Sequence, residues 1–240
     1  MSGWWVADFW NSPHMGPAFV IAWAFWVILS ITLHELSHGW VAIRMGDRTP
    51  IETGHMSFNP LTHMGGASLL AFALIGIAWG AMPVNPSRMR GKYGDAIVSL
   101  AGPAMNALLA LLSLTLFILW MGLVEGRWTG TGIGLGDSAS ANMQTFFTLG
   151  IMLNILLCVF NLIPIMPLDG GHILASFSPA YRRLFQSQVG PAIALGALLL
   201  LVMFAGRVVF PMAVDVTDWL IHVSFGALGL LAESGGVSGA

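Results

Sequence analysis

The sequence predicts an all-α integral membrane protein, a polytopic helical bundle with about five to six membrane helices. Of its 240 residues, 56% are hydrophobic and only 8% are charged, whereas a soluble domain carries about 25% charged residues. The mean hydropathy is +0.80. Several apolar stretches also reach the length of about 20 residues that a helix needs to cross the hydrocarbon core. These observations exclude an ordinary soluble domain.

The N-terminal residues predict a segment that lies at the membrane interface. They lack the basic region and the cleavage site of a secretory signal,. Their aromatic side chains suit the headgroup zone, where indole rings are enriched. These side chains are Trp4, Trp5, Phe9 and Trp10.

Four apolar stretches clearly predict membrane helices: residues 17–43, 96–124, 142–163 and 189–203 with its flanks. Residues 208–231 predict a fifth helix more weakly, because Asp215, Asp218 and His222 dilute them. The two aspartates either form a small polar face on this helix, or end a helix, or lie at the outer surface. Residues 66–82 are apolar but shorter than a spanning helix.

Two polar segments separate these stretches. Residues 46–65 are rich in proline and glycine, which predicts turns and short strands, with a strand-like insert over residues 51–59,. Residues 125–141 predict a glycine-rich loop without the strand and lysine of a phosphate-binding loop,. Residues 232–240 predict a disordered tail. We expect one membrane-embedded domain over residues 1–240, with a core over about 17–180 and accessory helices over about 188–231.

The short run 66–82 decides the predicted topology. If it enters the membrane and returns, seven of the nine basic residues fall on one side, and if it crosses, they are split between the two sides. The seven are Arg44, Arg48, Arg88, Arg90, Lys92, Arg182 and Arg183. The positive-inside bias therefore favours a re-entrant segment, with this side in the cytoplasm.

A histidine pair marks the end of the first apolar stretch. His34 and His38 stand four residues apart, so on a helix they project from one face. This spacing suits a zinc ion, and the adjacent Glu35 suits a base that activates water. Because charged groups are unfavourable inside a hydrocarbon-length helix, the motif indicates a functional site.

Asp169 is the candidate for a third metal ligand, since catalytic zinc sites commonly use three protein ligands. Pro164 and Pro167 precede it and must interrupt the helix that ends there,. Gly170 and Gly171 let the chain bend again. A carboxylate on such a broken segment can face a metal on a neighbouring helix. The alternative is an aspartate in a helix-terminal turn.

Two asparagines and three histidines are candidates for lesser roles. Asn161 either satisfies backbone groups freed by the nearby proline or donates to substrate or a developing oxyanion. Asn106 either serves the site in the same way or bridges to a partner helix. His63 could reach the site from the polar insert, or lie behind it or at the surface. The sequence favours interfacial positions for His55 and His172. His14 and His222 have no acidic or histidine partner at ligand spacing, and Cys158 suits a small core residue,.

Three motifs together resemble the site-2 protease family of intramembrane zinc metalloproteases. They are HELSH at residues 34–38, GPAMN at 102–106 and NLIPIMPLDG at 161–170. The resemblance covers roughly residues 20–180. Residues 58–63 and 83–86 resemble the compact bacterial and archaeal members, and the chain has no room for their relatives' PDZ or CBS domains.

The resemblance implies a three-helix catalytic core that opens toward the cytosol of a prokaryotic cell. It implies one zinc ion on His34, His38 and Asp169, with Glu35 as the catalytic base. The expected activity is hydrolysis of peptide bonds in or near the transmembrane segments of membrane proteins, with single-pass proteins as substrates. The lipid bilayer is the expected surrounding.

Two other classes of function remain open on sequence alone. Intramembrane His, Glu and Asp residues also build proton relays in transporters, although a relay needs no histidine pair at ligand spacing. A protease-like protein could also hold membrane clients without cutting them. A net charge of -2 and the absence of a basic patch exclude a nucleic-acid partner,.

Overall fold

The computed structural model describes residues 4–13, 15–133 and 136–230. These residues form helices joined by irregular connections. The helices are α1 (Trp5–Trp10), α2 (Gly16–Arg44), α3 (Thr49–Glu52), α4 (Pro60–Ile75), α5 (Gly94–Leu119), α6 (Asp137–Leu162), α7 (Asp169–Phe177), α8 (Pro179–Gln186) and α9 (Gly190–Ala227). Helix α5 continues into a π-helical turn over Trp120–Val124. His14 and the predicted tail 232–240 lie outside the described residues.

Four helical segments are long and apolar enough to cross a membrane within the described ranges. They are α2, α5 with its π-helical turn, α6 and the C-terminal part of α9, Gly206–Ala227. A fifth is counted if α8 and the start of α9, which meet at 101°, form one broken span. The structure therefore confirms a helical membrane protein with several spans. Within the described residues it has four or five candidate spans, whereas the sequence predicts about five to six.

The two helices predicted near the C-terminus are one continuous helix. Residues 189–203 and 208–231 were expected to form separate spans, whereas α9 runs through 38 residues without a break. The sequence between them contains Gly206 but no cluster of turn-forming residues, and Pro211 lies inside the helix. An isolated glycine is tolerated within a helix, and a lone proline can kink a helix without ending it.

Helices α2, α5 and α6 form the centre of the bundle. A buried apolar cluster that includes Trp26, Val27 and Leu153 joins α2 to α6. The Trp26 indole also donates a hydrogen bond to the carbonyl of Phe146, at 2.8 Å. Helices in lipid associate through close packing and interhelical hydrogen bonds rather than through a hydrophobic driving force. Such bonds therefore fix the helices that carry the predicted site.

The strand-like insert predicted over residues 51–59 is wrong. Thr49–Glu52 forms the short helix α3, with Pro50 in its first turn, and no strand occurs anywhere in the part of the chain that the structure describes. Proline at the first helical positions has a backbone angle that already suits a helix. Gly54 then turns the chain with a φ of 73°. The proline and glycine therefore mark a helical turn here.

Helix α4 and the segment after it run in opposite directions, an arrangement that is compatible with the predicted re-entrant segment. Gly76 ends α4 in the left-handed conformation, with a φ of 76°. The hydroxyl of Ser68 then accepts from the amide of Trp79 and donates to its carbonyl. The amide of Ala81 donates to the carbonyl of His63 at 2.9 Å. Residue 81 therefore lies beside the beginning of α4, and we call residues 77–85 the return segment.

The N-terminal aromatic residues hold the far end of α4. The indole groups of Trp4 and Trp5 donate to the carbonyls of Ala73 and Phe72. These carbonyls lie in the last turn of α4, and that of Phe72 also accepts from the amide of Gly76. Trp4 and Trp5 therefore attach the N-terminal segment to the C-terminal end of α4.

The C-terminal end of α2 and the N-terminal end of α5 lie side by side. The amide of Arg90 donates to the carbonyl of Met45 at 2.7 Å, and the amide of Asn85 donates to the carboxylate of Asp47 at 2.6 Å. Lys92 and Arg182 line one cavity of about 480 Å³. The basic residues of α2, of the α4–α5 connection and of α8 are therefore gathered at one end of the bundle.

Candidate metal centre

His34, His38 and Asp169 converge in the interior of the bundle. The two Nε2 atoms lie 3.0 Å apart. Asp169 places Oδ2 at 3.1 Å from Nε2 of His34 and Oδ1 at 3.3 Å from Nε2 of His38. Both histidines are buried, and the three side chains form a group that could hold a metal ion.

The chain around Asp169 explains how a carboxylate from a distant segment reaches α2. Asp169 is the first residue of α7, after the irregular proline-containing stretch that ends α6. A Cβ atom at Gly170 would overlap the carbonyls of Leu162 and Ile163, and one at Gly171 would overlap the backbone of Ile165 and Met166. The two glycines therefore let α7 begin directly against the end of α6, which directs Asp169 toward the histidines.

Both histidine rings are oriented from behind by oxygen atoms. Nδ1 of His34 lies 2.5 Å from Oδ1 of Asn106, and Nδ1 of His38 lies 2.7 Å from the carbonyl oxygen of Val98. A carbonyl oxygen only accepts hydrogen bonds, so each Nδ1 carries the proton. Each Nε2 therefore presents a lone pair to the centre, as a metal ligand does.

The residues present fit a zinc ion. Two unprotonated Nε2 atoms and a carboxylate face one another, and Oδ2 of Asp169 is buried without a hydrogen-bond partner. Three electron pairs so close together repel one another unless a cation lies between them. Tetrahedral zinc with ligand bonds of about 2.0–2.1 Å separates its ligand atoms by about 3.3 Å. The observed separations of 3.0, 3.1 and 3.3 Å are close to that value.

Glu35 lies beside these groups in a cavity of about 680 Å³ that also contains the three candidate ligands. The return segment forms one wall of this cavity, and a Cβ atom at Gly80 would lie only 2.6 Å from Oε1 of Glu35. On the α5 side, a Cβ atom at Gly102 would overlap the Nε2 atoms of both histidines. Glycine at these two positions keeps the space around the acid and the ligands open.

The two predicted asparagines occupy different positions. Asn161 lines the cavity, and its amide donates to the carbonyl of Leu157 at 3.0 Å. Asn106 is fully buried behind His34, and it bridges from α5 to Asn154 on α6 at 3.0 Å. The structure therefore brings Asn161 to the cavity and puts Asn106 on the far side of a candidate ligand, bonded to a partner helix.

The remaining polar candidates do not join the metal cluster. His172 lines the cavity and lies 3.8 Å from Asp95. His63 is buried, and its Nε2 donates to the carbonyl of Ser57. His55 bonds locally to Thr53. Asp215 and Asp218 are exposed within α9 rather than at a helix end.

Asn154 and the carbonyl of Val98 are not among the residues predicted from the sequence. Asn154 had a detectable signal, because it is a polar residue in the middle of the apolar stretch 142–163, and such residues are usually functional or bonded between helices. The carbonyl of Val98 had none, since any residue offers the same backbone oxygen.

Comparison with known proteins agrees with this geometry. The sequence profile of Peptidase family M50 matches residues 22–205. YwhC of Bacillus subtilis, which is named as a zinc metalloprotease, is 31% identical over 181 residues, covering 74% of this chain and 77% of the relative.

Rip2 proteins of two mycobacteria, also named as zinc metalloproteases, match a longer part of the chain. The protein of Mycolicibacterium smegmatis is 29% identical and that of Mycobacterium tuberculosis H37Rv is 30% identical, each over 226 residues. Both matches cover 91% of this chain and 79% of the relative. No solved structure matches significantly. The chain belongs to Peptidase family M50, the site-2 protease family, and is an intramembrane zinc metalloprotease.

Proposed function

We propose that His34, His38 and Asp169 hold the catalytic zinc ion and that Glu35 is the general base. The observation that carries this assignment is the convergence of the three side chains, with the two Nε2 atoms 3.0 Å apart and each of them 3.1–3.3 Å from one oxygen of Asp169. Glu35 follows His34 directly on the same helix and shares the cavity with all three. An acid beside a histidine pair at this spacing has the position of a metalloprotease base.

Zinc, when bound, supplies Lewis-acid chemistry that makes a water molecule acidic and polarises the peptide carbonyl. Glu35 accepts the proton of the attacking water on its carboxylate and then donates it to the leaving amine. Asn161 uses one amide hydrogen for Leu157, which leaves the other to donate to the oxyanion. The carboxylate and the amide are both inside the cavity.

The substrate peptide must be unwound where it is cut, because a helix hides its carbonyls in hydrogen bonds. Residues 77–85 of the return segment form neither a helix nor a turn, and the segment lines the cavity that contains Glu35. We propose that an unwound substrate pairs with the backbone of this segment. Residues 51–59 form no strand and offer no strand edge for such pairing.

We propose that the active site is reached from the cytoplasm of a prokaryotic cell. The basic residues at the ends of α2, α5 and α8 lie at one end of the bundle, and positive charge accumulates on the cytoplasmic side of membrane proteins. The substrates are membrane proteins, and single-pass proteins are the proposed kind, because one isolated helix can unwind without disrupting others. The transporter and the non-cleaving client binder receive no support from the family membership.

Cleavage of a membrane substrate by the wild type and by Glu35→Gln tests the proposed role of the acid. Both proteins are compared with and without a zinc chelator, and their zinc content is measured. The variant should retain zinc and lose cleavage, because an amide cannot accept the proton. Membrane proteomics that compares cells carrying the wild type with cells carrying Glu35→Gln should show truncated single-pass proteins only with the wild type. Full cleavage by the variant would refute the assignment of Glu35.

A further inference from the structure

Two buried amides connect His34 to the backbone of α6. Asn106 and Asn154 are each fully buried. Oδ1 of Asn106 faces Nδ1 of His34 at 2.5 Å, and Nδ2 of Asn106 donates to Oδ1 of Asn154 at 3.0 Å. Nδ2 of Asn154 donates in turn to the carbonyl of Gly150 at 2.9 Å. The three bonds form a continuous relay from a backbone carbonyl to a candidate metal ligand.

The carbonyl of Gly150 gives this relay its direction. A side-chain amide can be rotated to exchange its donor and acceptor, but a backbone carbonyl can only accept. Asn154 must therefore turn its Nδ2 toward Gly150 and its Oδ1 toward Asn106. Asn106 must then donate to Asn154 and present its own Oδ1 to His34. Nδ1 of His34 consequently carries the proton, and Nε2 keeps the lone pair that a metal requires.

The opposite orientation would disable the ligand. If Asn106 were rotated, its amide group would donate to Nδ1 of His34, and the ring proton would move to Nε2. His38 does not face this choice, because the carbonyl of Val98 accepts directly from its Nδ1. The tautomer of His34 therefore depends on the orientation of two side-chain amides, those of Asn106 and Asn154, and each amide could be rotated by itself.

We propose that Asn154 is a positioning residue that fixes the tautomer of His34 through Asn106. The inference rests on the proposed function in one respect, that His34 is a zinc ligand. The carbonyl of Gly150 on α6 fixes the orientation of the two amides, and the amides fix Nε2 of His34 as the nitrogen that faces the metal. Partners behind a metal-ligating histidine typically change metal affinity or activity by about 10–100-fold when they are removed.

The test measures the zinc affinity of the detergent-purified full chain by competition with a chromophoric chelator. Asn154→Ala and Asn154→Leu both remove the acceptor for Asn106, and the leucine also fills the space. Each should bind zinc about 10–100-fold more weakly than the wild type. Ser113→Ala is the matched control, because Ser113 is a buried α5 residue that bonds to the carbonyl of Phe147 on α6. This control should keep the wild-type affinity.

A rescue variant separates the tautomer from helix packing. In the background of Asn154→Ala or Asn154→Leu, Asn106→Asp gives His34 a carboxylate, which has two acceptor oxygens and no donor when ionised. The carboxylate holds the proton on Nδ1 without any help from position 154. Zinc affinity should return toward the wild-type value in the double variant, whereas a packing defect would persist.

Three results would overturn the proposal: wild-type affinity in both position-154 variants, an equal loss in Ser113→Ala, or no recovery with Asn106→Asp. Thermal unfolding of the zinc-free proteins is recorded alongside, and if Asn154→Ala does not fold, the leucine background carries the comparison. His34→Ala distinguishes the ligand role of His34 from the role of the relay behind it. If it binds zinc normally, the ligand assignment fails. If it loses zinc while the position-154 variants keep it, only the relay fails.

Discussion

At the scale of single residues, Gly102 shows how closely α5 approaches the candidate metal centre. A Cβ atom there would overlap the Nε2 atoms of both histidines, so Gly102→Ala should abolish zinc binding and cleavage. Gly196→Ala on α9 is the control, because a Cβ atom at that position meets nothing within 4 Å. Zinc analysis of the two purified variants checks this, and normal zinc in Gly102→Ala would contradict the geometry.

Asp47 is a buried carboxylate that connects the end of α2 to the return segment. Burial acts to raise its pKa. The carboxylate accepts hydrogen bonds from the amide of Asn85 and from the amide and hydroxyl of Thr49, and the charge of Arg88 is nearby. These interactions outweigh burial and hold the pKa below its ordinary value. The ionised form therefore stabilises the fold. Its contribution is complete above the ordinary value of about 3.9 and is lost as the pH falls through the lowered pKa.

The variant Asp47→Asn should consequently lower the free energy of unfolding by about 1–3 kcal/mol at neutral pH, since an amide has only one acceptor oxygen. The difference between variant and wild type should disappear below the lowered pKa. Thermal unfolding in detergent at a series of pH values measures it. A difference that stays constant down to strongly acidic pH would show that the charge of Asp47 contributes nothing.

The sequence could predict the residues whose side chains bind metal ions or transfer protons. His34, Glu35 and His38 follow a helical spacing, and Asp169 stands between prolines and glycines that break a helix. The structure brings the three predicted ligands together. The bonding of Asn106 to His34 could not be predicted, because it depends on how α5 is rotated against α2.

At the scale of elements, the return segment depends on Ser68, which is fully buried and bonds to both the amide and the carbonyl of Trp79. Ser68→Ala should leave these two backbone groups without partners, at a cost of about 1–3 kcal/mol each. Hydrogen exchange at residues 77–85 should therefore become faster.

Thr115→Ala is the control for this change, because Thr115 is exposed and bonds only within its own helix. It should leave exchange at residues 77–85 unchanged. Exchange that is equally slow in Ser68→Ala and in the wild type would show that other contacts hold the return segment.

The elements that were predicted wrongly share a cause. Proline and glycine at residues 50 and 54 mark turns of the chain, but they do not distinguish a helical turn from a strand end. The merging of two predicted spans into α9 has the same origin, since Gly206 and Pro211 bend or interrupt a helix only if tertiary contacts require it. The long apolar helices were predicted well because length and composition suffice for them.

At the scale of the whole molecule, the clustering of basic residues predicts the orientation in the membrane. Cysteines introduced at Arg90 and Arg182, with Cys158 replaced by serine, should react with an impermeant thiol reagent only from the cytoplasmic side. A cysteine at Glu125, beyond the other end of α5, should react only from the opposite side. Labelling of Arg90→Cys and Glu125→Cys from the same side would contradict the proposed topology.

The proposed activity requires that two histidines of α2 and one aspartate of α7 share a metal ion within the membrane. Zinc analysis and zinc-edge X-ray absorption on the purified wild type and on Asp169→Ala test this most directly. The wild type should contain about one zinc per chain with two nitrogen ligands and a carboxylate oxygen at about 2.0–2.2 Å, and the variant should lose the ion. Full zinc content and an unchanged spectrum in Asp169→Ala would contradict the account.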